Sequence, residues 1–119
     1  MNTLNSIILE GKIVSRDVNV SQRYKKITVH GLVVVQLETS RYVTRFDGSK
    51  EEEYQVFDVL VDGNLAEHLT NHCEIGRGLR VVGRLSNEKY TDSHGKRHAT
   101  TCVFAEHIEY KPFVKQEGK

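Results

Sequence analysis

Residues 54–72, YQVFDVLVDGNLAEHLTNH, change their repeat halfway along. Up to Val61 the apolar residues alternate, and Phe57, Val59 and Val61 share one parity. That is the two-residue period of a strand with one buried face. Beyond it Leu65 and Leu69 stand four apart, which puts them on one side of a helix over 64–72. Asn64 can cap the first turn, Glu67 three residues on can reach back to it, and Gly76 suits the stop. A strand leading into one short helix is the feature around which the other segments must fit.

Alternation recurs on both sides of this stretch. Toward the N-terminus, Ile7, Leu9 and Ile13 alternate with Glu10 and Lys12, and Gly11 interrupts the apolar face. Val33, Val35 and Leu37 then oppose Gln36, Glu38, Ser40 and Tyr42. Toward the C-terminus, Leu79, Val81 and Leu85 oppose Arg80, Arg84, Glu88 and Tyr90. The turn Asp92-Ser93-His94-Gly95 leads into a fifth β-rich run over 99–110. Gly11, Gly31 and Gly83 break strands at mid-length, where a small barrel must bend in order to close. Three strands, one helix and a two-strand hairpin is the order of the OB-fold, whose helix plugs one end of the barrel. The expectation is therefore an all-β, five-stranded OB-fold β-barrel with one short α-helix between strands 3 and 4. A generic β-barrel with an incidental helix is the competing architecture. Residues 1–112 are expected to form the domain, and 113–119 a disordered C-terminal remnant.

A chain of 119 residues fits one such domain, and a domain of that size folds without disulfide or metal. Cys73 and Cys102 lack the spacing of a disulfide framework and suit a reducing interior. The N-terminus has no basic start followed by a long apolar run, and no stretch approaches the roughly 18 apolar residues of a spanning helix. The expected location is the cytoplasm. Net charge is only +1, so any nucleic-acid surface must come from how charge is distributed. Basic residues do cluster: Arg23, Lys25 and Lys26; Arg77, Arg80 and Arg84; Lys89, Lys96 and Arg97. Acidic residues gather elsewhere, in Glu51-Glu52-Glu53.

Four stretches, in order, resemble one family. Ile8-Leu9-Glu10-Gly11-Lys12-Ile13, followed by Ser15-Arg16-Asp17, is similar to the V-x-L-x-G-[RK]-L…T-R-D opening of bacterial single-stranded DNA-binding proteins. The run from Phe57 to Glu67 resembles their W-x-R-V-x-x-F/W-G-K-L-A-E. The run from Gly76 to Leu85 resembles K-K-G-S-x-V-x-V-E-G-R-L, and that from Glu88 to Arg97 resembles R-x-W-x-D-x-x-G-x-[KR]. The likeness covers about residues 5–110. It departs where the family's P-[NS]-G turn gives way to a longer basic stretch over 18–30, and all the tryptophans are missing. The flexible linker and acidic, aromatic-tipped tail that recruits repair and replication enzymes in most members has no counterpart before Lys119, which leaves such partners unassigned. The resemblance implies a homotetramer, or in some members a dimer, in a bacterial, nucleoid-associated setting.

Sequence-tolerant binding of single strands needs aromatic faces for the bases beside cations for the phosphates. Parity alone puts Tyr42 on the outward face of the second strand, and Tyr90 outward on the fourth beside Arg80 and Arg84. The resemblance implies that Tyr42 and Tyr90 stand where the family carries stacking tryptophans. Tyr54 lies near a third such position, on which a two-residue shift would place Val56. Phe57 has the opposite parity and is expected in the core. Candidate phosphate contacts are Arg80, Arg84, Lys89, Lys12, Arg16, Lys96 and Arg97. His68, His72 and Cys73 form an H-x3-H-C run, but no further ligand has suitable spacing, so neither metal nor cofactor is expected. No nucleophile–base pair is legible, so an enzyme is not expected. The function expected is sequence-independent binding and protection of single-stranded DNA in replication, recombination and repair. The alternative is a primosomal-type OB module of replication restart that acts mainly by docking proteins, and an RNA-binding OB protein would differ only in ligand.

Overall fold

Five strands and one helix follow each other as β1 (Ile7–Asp17), β2 (Val33–Thr44), β3 (Lys50–Val61), α1 (Gly63–Thr70), β4 (Gly78–Thr91) and β5 (Arg97–Tyr110). They close into a barrel in the order β1-β2-β3-β5-β4, which is the OB arrangement with its helix between the third and fourth strands. The computed structural model describes residues 3–17, 33–91 and 94–112. The expectations on Gly31, on the basic 18–30 stretch, on Asp92 and Ser93 and on the 113–119 tail lie outside the described residues.

β1 closes the barrel because it pairs on both edges. Ile7–Lys12 run antiparallel to β4, and Lys12–Asp17 run antiparallel to β2, with an irregularity between Ile13 and Ser15. A strand that changes partner in mid-course must bend sharply, and Gly11 stands at the change. A Cβ there would lie 2.5 Å from the Glu38 carbonyl oxygen. β4 meets the same demand at Gly83, beside a register shift in its pairing with β5. A Cβ there would lie 2.1 Å from the Phe104 carbonyl oxygen. Both positions are close approaches of backbone to backbone that admit no side chain.

The inward parities of the five strands fill the barrel as the alternation predicts. Ile13, Val35, Leu37, Val59, Val61, Leu79 and Val81 are buried together, with Val103, Ala105 and Ile108 from β5. The helix contributes Ala66 and Leu69 to the same cluster, and Cys73 follows it in. The expected Asn64 cap is not what starts α1. The helix begins one residue earlier, with Asp62 at its N-cap making no side-chain bond to it. The reason is Gly63, whose φ of +59° turns the chain directly out of β3 into the helix and leaves no separate capping turn. At the far end His68 and His72 pack their rings 4.5 Å apart and both lie against Tyr110, so the H-x3-H-C run becomes part of a packed barrel end. Among the described residues no group of three or more His, Cys, Asp or Glu is arranged to hold a metal.

Two pairs of strands outrun the barrel. Beyond Glu38, β2 has only β3 as a partner, so 39–44 and 50–55 form a two-stranded arm. Beyond Gly83, β4 has only β5, so 86–91 and 97–102 form a second. Leu85, expected inward with Leu79 and Val81, stands at the root of this second arm and is exposed, because no third strand covers it.

The close approach at Gly83 gives a direct test of the closure. Gly83→Ala is expected to lower unfolding stability by about 2 kcal/mol or more, since the added methyl meets backbone that cannot step aside. Urea unfolding would register this as a lower midpoint, and an unchanged midpoint would contradict it.

Candidate nucleic-acid interface

Residues directly opposite each other on antiparallel strands share a face. Lys12 on β1 opposes Glu38 on β2, Glu38 opposes Val56 on β3, Ser40 opposes Tyr54, Tyr42 opposes Glu52, and Thr44 opposes Lys50. These residues make one outward surface that begins on the barrel and runs along the first arm. On it Tyr42 is 76% exposed, Tyr54 57% and Val56 53%. Side chains of that size normally seek cover, so a row of three uncovered ones is notable in a strand pair this polar. The Tyr54 hydroxyl donates to the Glu52 carboxylate, which ties the second ring down while leaving its face open. Lys12 reaches to 3.8 Å from Glu38 at the barrel end of the row.

The surface continues around the barrel. Ser15 donates to Gln36 at 2.6 Å and Gln36 to Asp58 at 2.8 Å, a polar ladder across β1, β2 and β3. Next to it Val34, Leu60 and Cys102 are buried on the outer side of the sheet, with Phe104 packed against them. Burial pushes the Cys102 thiol up to about 12, with Glu88 and Asp58 adding to the effect, so it stays a neutral packing group. Phe104 opposes Arg84, whose guanidinium lies 4.6 Å from the ring centroid. A planar cation over an aromatic ring is held flat, with its edge N–H groups left to meet an anion.

The candidate residues from sequence thus separate. Lys12, Tyr42, Tyr54 and Arg84 share this outward surface. Tyr90 has its backbone opposite His98 on the second arm, and its side chain lies outside the described residues. Lys89 and Arg97 are exposed on that arm with the parity opposite to Arg84, and Lys96 lies in its turn. Arg80 is engaged elsewhere: it donates to Glu10 at 2.9 Å and Glu109 at 3.3 Å, while Lys111 meets the same Glu10 at 2.5 Å. Those bonds, that from Lys111 foremost, hold the Glu10 carboxyl below its ordinary range. The bond with Glu10 likewise raises Arg80 above the ordinary arginine value, so a phosphate would have to compete for it. Arg16 points to the helix end of the barrel, donating to Cys73 Sγ at 2.9 Å. Phe57, expected in the core, is half-buried and lines a groove with Leu9 on the other side of the first arm.

Three residues of the surface escape a reading of the sequence. Lys50 and Glu52 belong to it because β3 starts four residues before Tyr54, in a run with no apolar alternation to mark it. Phe104 belongs to it through its pairing with Arg84, which only the register of β4 and β5 fixes. The parity of Phe104 against Val103 and Ala105 was the available signal.

A closed OB barrel carrying an outward row of exposed tyrosines with flanking cations defines the class. Comparison with known proteins narrows it: the Single-strand binding protein family matches residues 4–111, and the chain belongs to that family. It is 30% identical over 105 residues to the single-stranded DNA-binding protein of Wolinella succinogenes, covering 88% of this chain and 62% of that one. It is 31% identical over 111 residues to that of Helicobacter hepaticus, covering 91% and 63%. The chain therefore spans somewhat under two thirds of the length of these relatives. Among solved structures, the Plasmodium falciparum SSB complex with single-stranded DNA superposes with a TM-score of 0.73 at 17% identity, over 94% of this chain and 98% of that one. At that identity the likeness is one of fold.

The difference between an open platform and a packing residue has a measurable consequence. Tyr42→Ala and Tyr54→Ala are each expected to change stability by no more than about 0.5 kcal/mol. Phe104→Ala is expected to cost about 2 kcal/mol or more, because it empties the outer cluster. Equal losses in all three by thermal unfolding would mean that the tyrosines are structural.

Proposed function

We propose that residues 1–112 act as one domain that binds single-stranded DNA, stacking bases on Tyr42 and Tyr54 and holding phosphates with Lys12, Lys50 and Arg84. The single observation behind this is the pair of exposed phenol rings on one face of the first arm, with cations at both ends. Stacking is worth about 1–3 kcal/mol per base and tolerates any base, so such a face coats a strand without needing its sequence. The relatives named above are single-stranded DNA-binding proteins, and the same ligand suits this chain. Its role is then to cover and protect strands exposed in replication, recombination and repair, in the cytoplasm and at the nucleoid, without catalysing a reaction.

One barrel covers only a short run of nucleotides, so a longer site calls for several copies. We propose a homotetramer, with a dimer as the smaller alternative. Ile8 is 72% exposed on β1, close in sequence to Leu9, whose side chain lines the groove beneath the first arm with Phe57 and Gln55. Ile8 lies on the opposite face of β1 from Leu9, and its uncovered side chain is apolar surface that a second copy would cover.

Anisotropy titration of a labelled oligo-dT, with duplex DNA and oligo-U as competitors, tests the reading. Binding is expected to resist the duplex and to weaken with salt. The slope of log affinity on log salt should be about −2 per domain if three phosphates are held, at roughly 0.7 per phosphate on a single strand. Tyr42→Ala with Tyr54→Ala should weaken it by at least about tenfold. Absence of binding at low salt would contradict the proposal and leave protein docking as the barrel's function; stronger competition by oligo-U would make RNA the ligand.

A further inference from the structure

The two platforms have a carboxylate between them. Glu52 stands directly opposite Tyr42, and its Oε1 accepts the Tyr54 hydroxyl. Other carboxylates of the outward surface are differently engaged: Glu38 is near Lys12, Asp58 accepts from Gln36, and Glu88 accepts from Ser86. Glu52 alone lies between two exposed rings, and its Oε2 has no donor among the described residues. A negative charge there does not help to hold phosphates. It does present an acceptor at the height where the edge of a base stacked on Tyr42 would pass, since opposed residues are about 5 Å apart.

We infer that Glu52 grades the bases, favouring those with an exocyclic amino group over thymine. The inference rests on the single-strand-binding reading of the face. An ionised carboxylate can only accept hydrogen bonds. Cytosine offers its N4 amino group and adenine its N6 amino group, and guanine offers N1–H beside its N2 amino group. Thymine has only N3–H, flanked by two carbonyl oxygens whose lone pairs the carboxylate repels. Stacking still accepts every base, so the result is a composition bias laid over a sequence-tolerant grip. Tyr54 matters here for a second reason, because its hydroxyl fixes the carboxylate in place.

The test uses the full chain at neutral pH, with oligo-dC and oligo-dT of equal length titrated against wild type, Glu52→Gln and Glu53→Gln. Glutamine at 52 keeps an acceptor for the Tyr54 hydroxyl but replaces the free oxygen with a donor that suits thymine carbonyls. Glu53→Gln removes the same charge from the opposite face of the arm, where Glu53 pairs with Arg41 at 3.1 Å. Glu52→Gln is expected to shift the ratio of the dT to the dC dissociation constant toward dT by about fivefold. Glu53→Gln should leave that ratio as in wild type. If Glu52→Gln tightens both oligonucleotides alike, Glu52 merely repels phosphate and the inference is overturned. If the ratio moves equally in both variants, net charge is the cause and the inference is again overturned. Failure of wild type to bind either oligonucleotide would remove the single-strand-binding reading itself, and the inference with it.

Discussion

The carbonyl oxygens of Glu38 and Phe104 approach Gly11 and Gly83 so closely that neither glycine could carry a side chain. Those contacts let β1 leave β4 for β2 and let β4 bend against β5, and so they decide that the sheet closes. Closure has two consequences for function. It buries the inward parity of each strand around Leu69 and Ala66 of the helix, and it forces the opposite parity outward on a rigid support. It also limits how much of β2 to β5 the barrel can use, so the surplus length projects as two arms. The exposed tyrosines are on such an arm because there the strands have left the core but not each other.

An arm of this kind has little apolar material to hold it. Cross-strand ion pairs contribute instead, Arg41 with Glu53 and Arg45 with Glu51, and the turn is tied by Asp47 to Ser49. Such exposed pairs are individually weak. Their carboxylates offset the arm's arginines within a chain whose net charge is only +1. Acidic residues hold the arm together and line part of the outward surface, while among the described residues Lys12, Lys50 and Arg84 are the cations around the rings. A strand on this surface would be gripped by its bases at least as much as by its phosphates.

Much of this was legible in the residues, and the limits are physical. Val35–Leu37 and Leu79–Val81 alternate because one side of each is core, and the parity of Tyr42 follows from that; Val34 breaks the pattern because it is buried on the outer side, with Leu60 and Cys102. Tyr54 and Val56 share one face, because two residues along a strand return to the same side. The start of β3 was hidden because Lys50 to Glu53 lies on the arm, where neither face is buried and no period is imposed. The placement of cations was least legible. Arg16 and Arg80 fit the pattern locally, but their partners Cys73 and Glu10 lie 57 and 70 residues away in sequence. The helix start moved because a positive φ at Gly63 replaced the turn that a side-chain cap would serve.

We propose that a single strand lies on the outward face of the β2–β3 arm and continues past Arg84. Amide chemical-shift mapping of the isotope-labelled protein, titrated with a short single-stranded oligonucleotide, tests it most directly. Shifts are expected to concentrate at Ser40, Tyr42, Glu52, Tyr54 and Val56 and to extend to Arg84, while His68, His72 and Cys73 at the helix end stay in place. Shifts gathered at the helix end, with Tyr42 and Tyr54 unmoved, would contradict it.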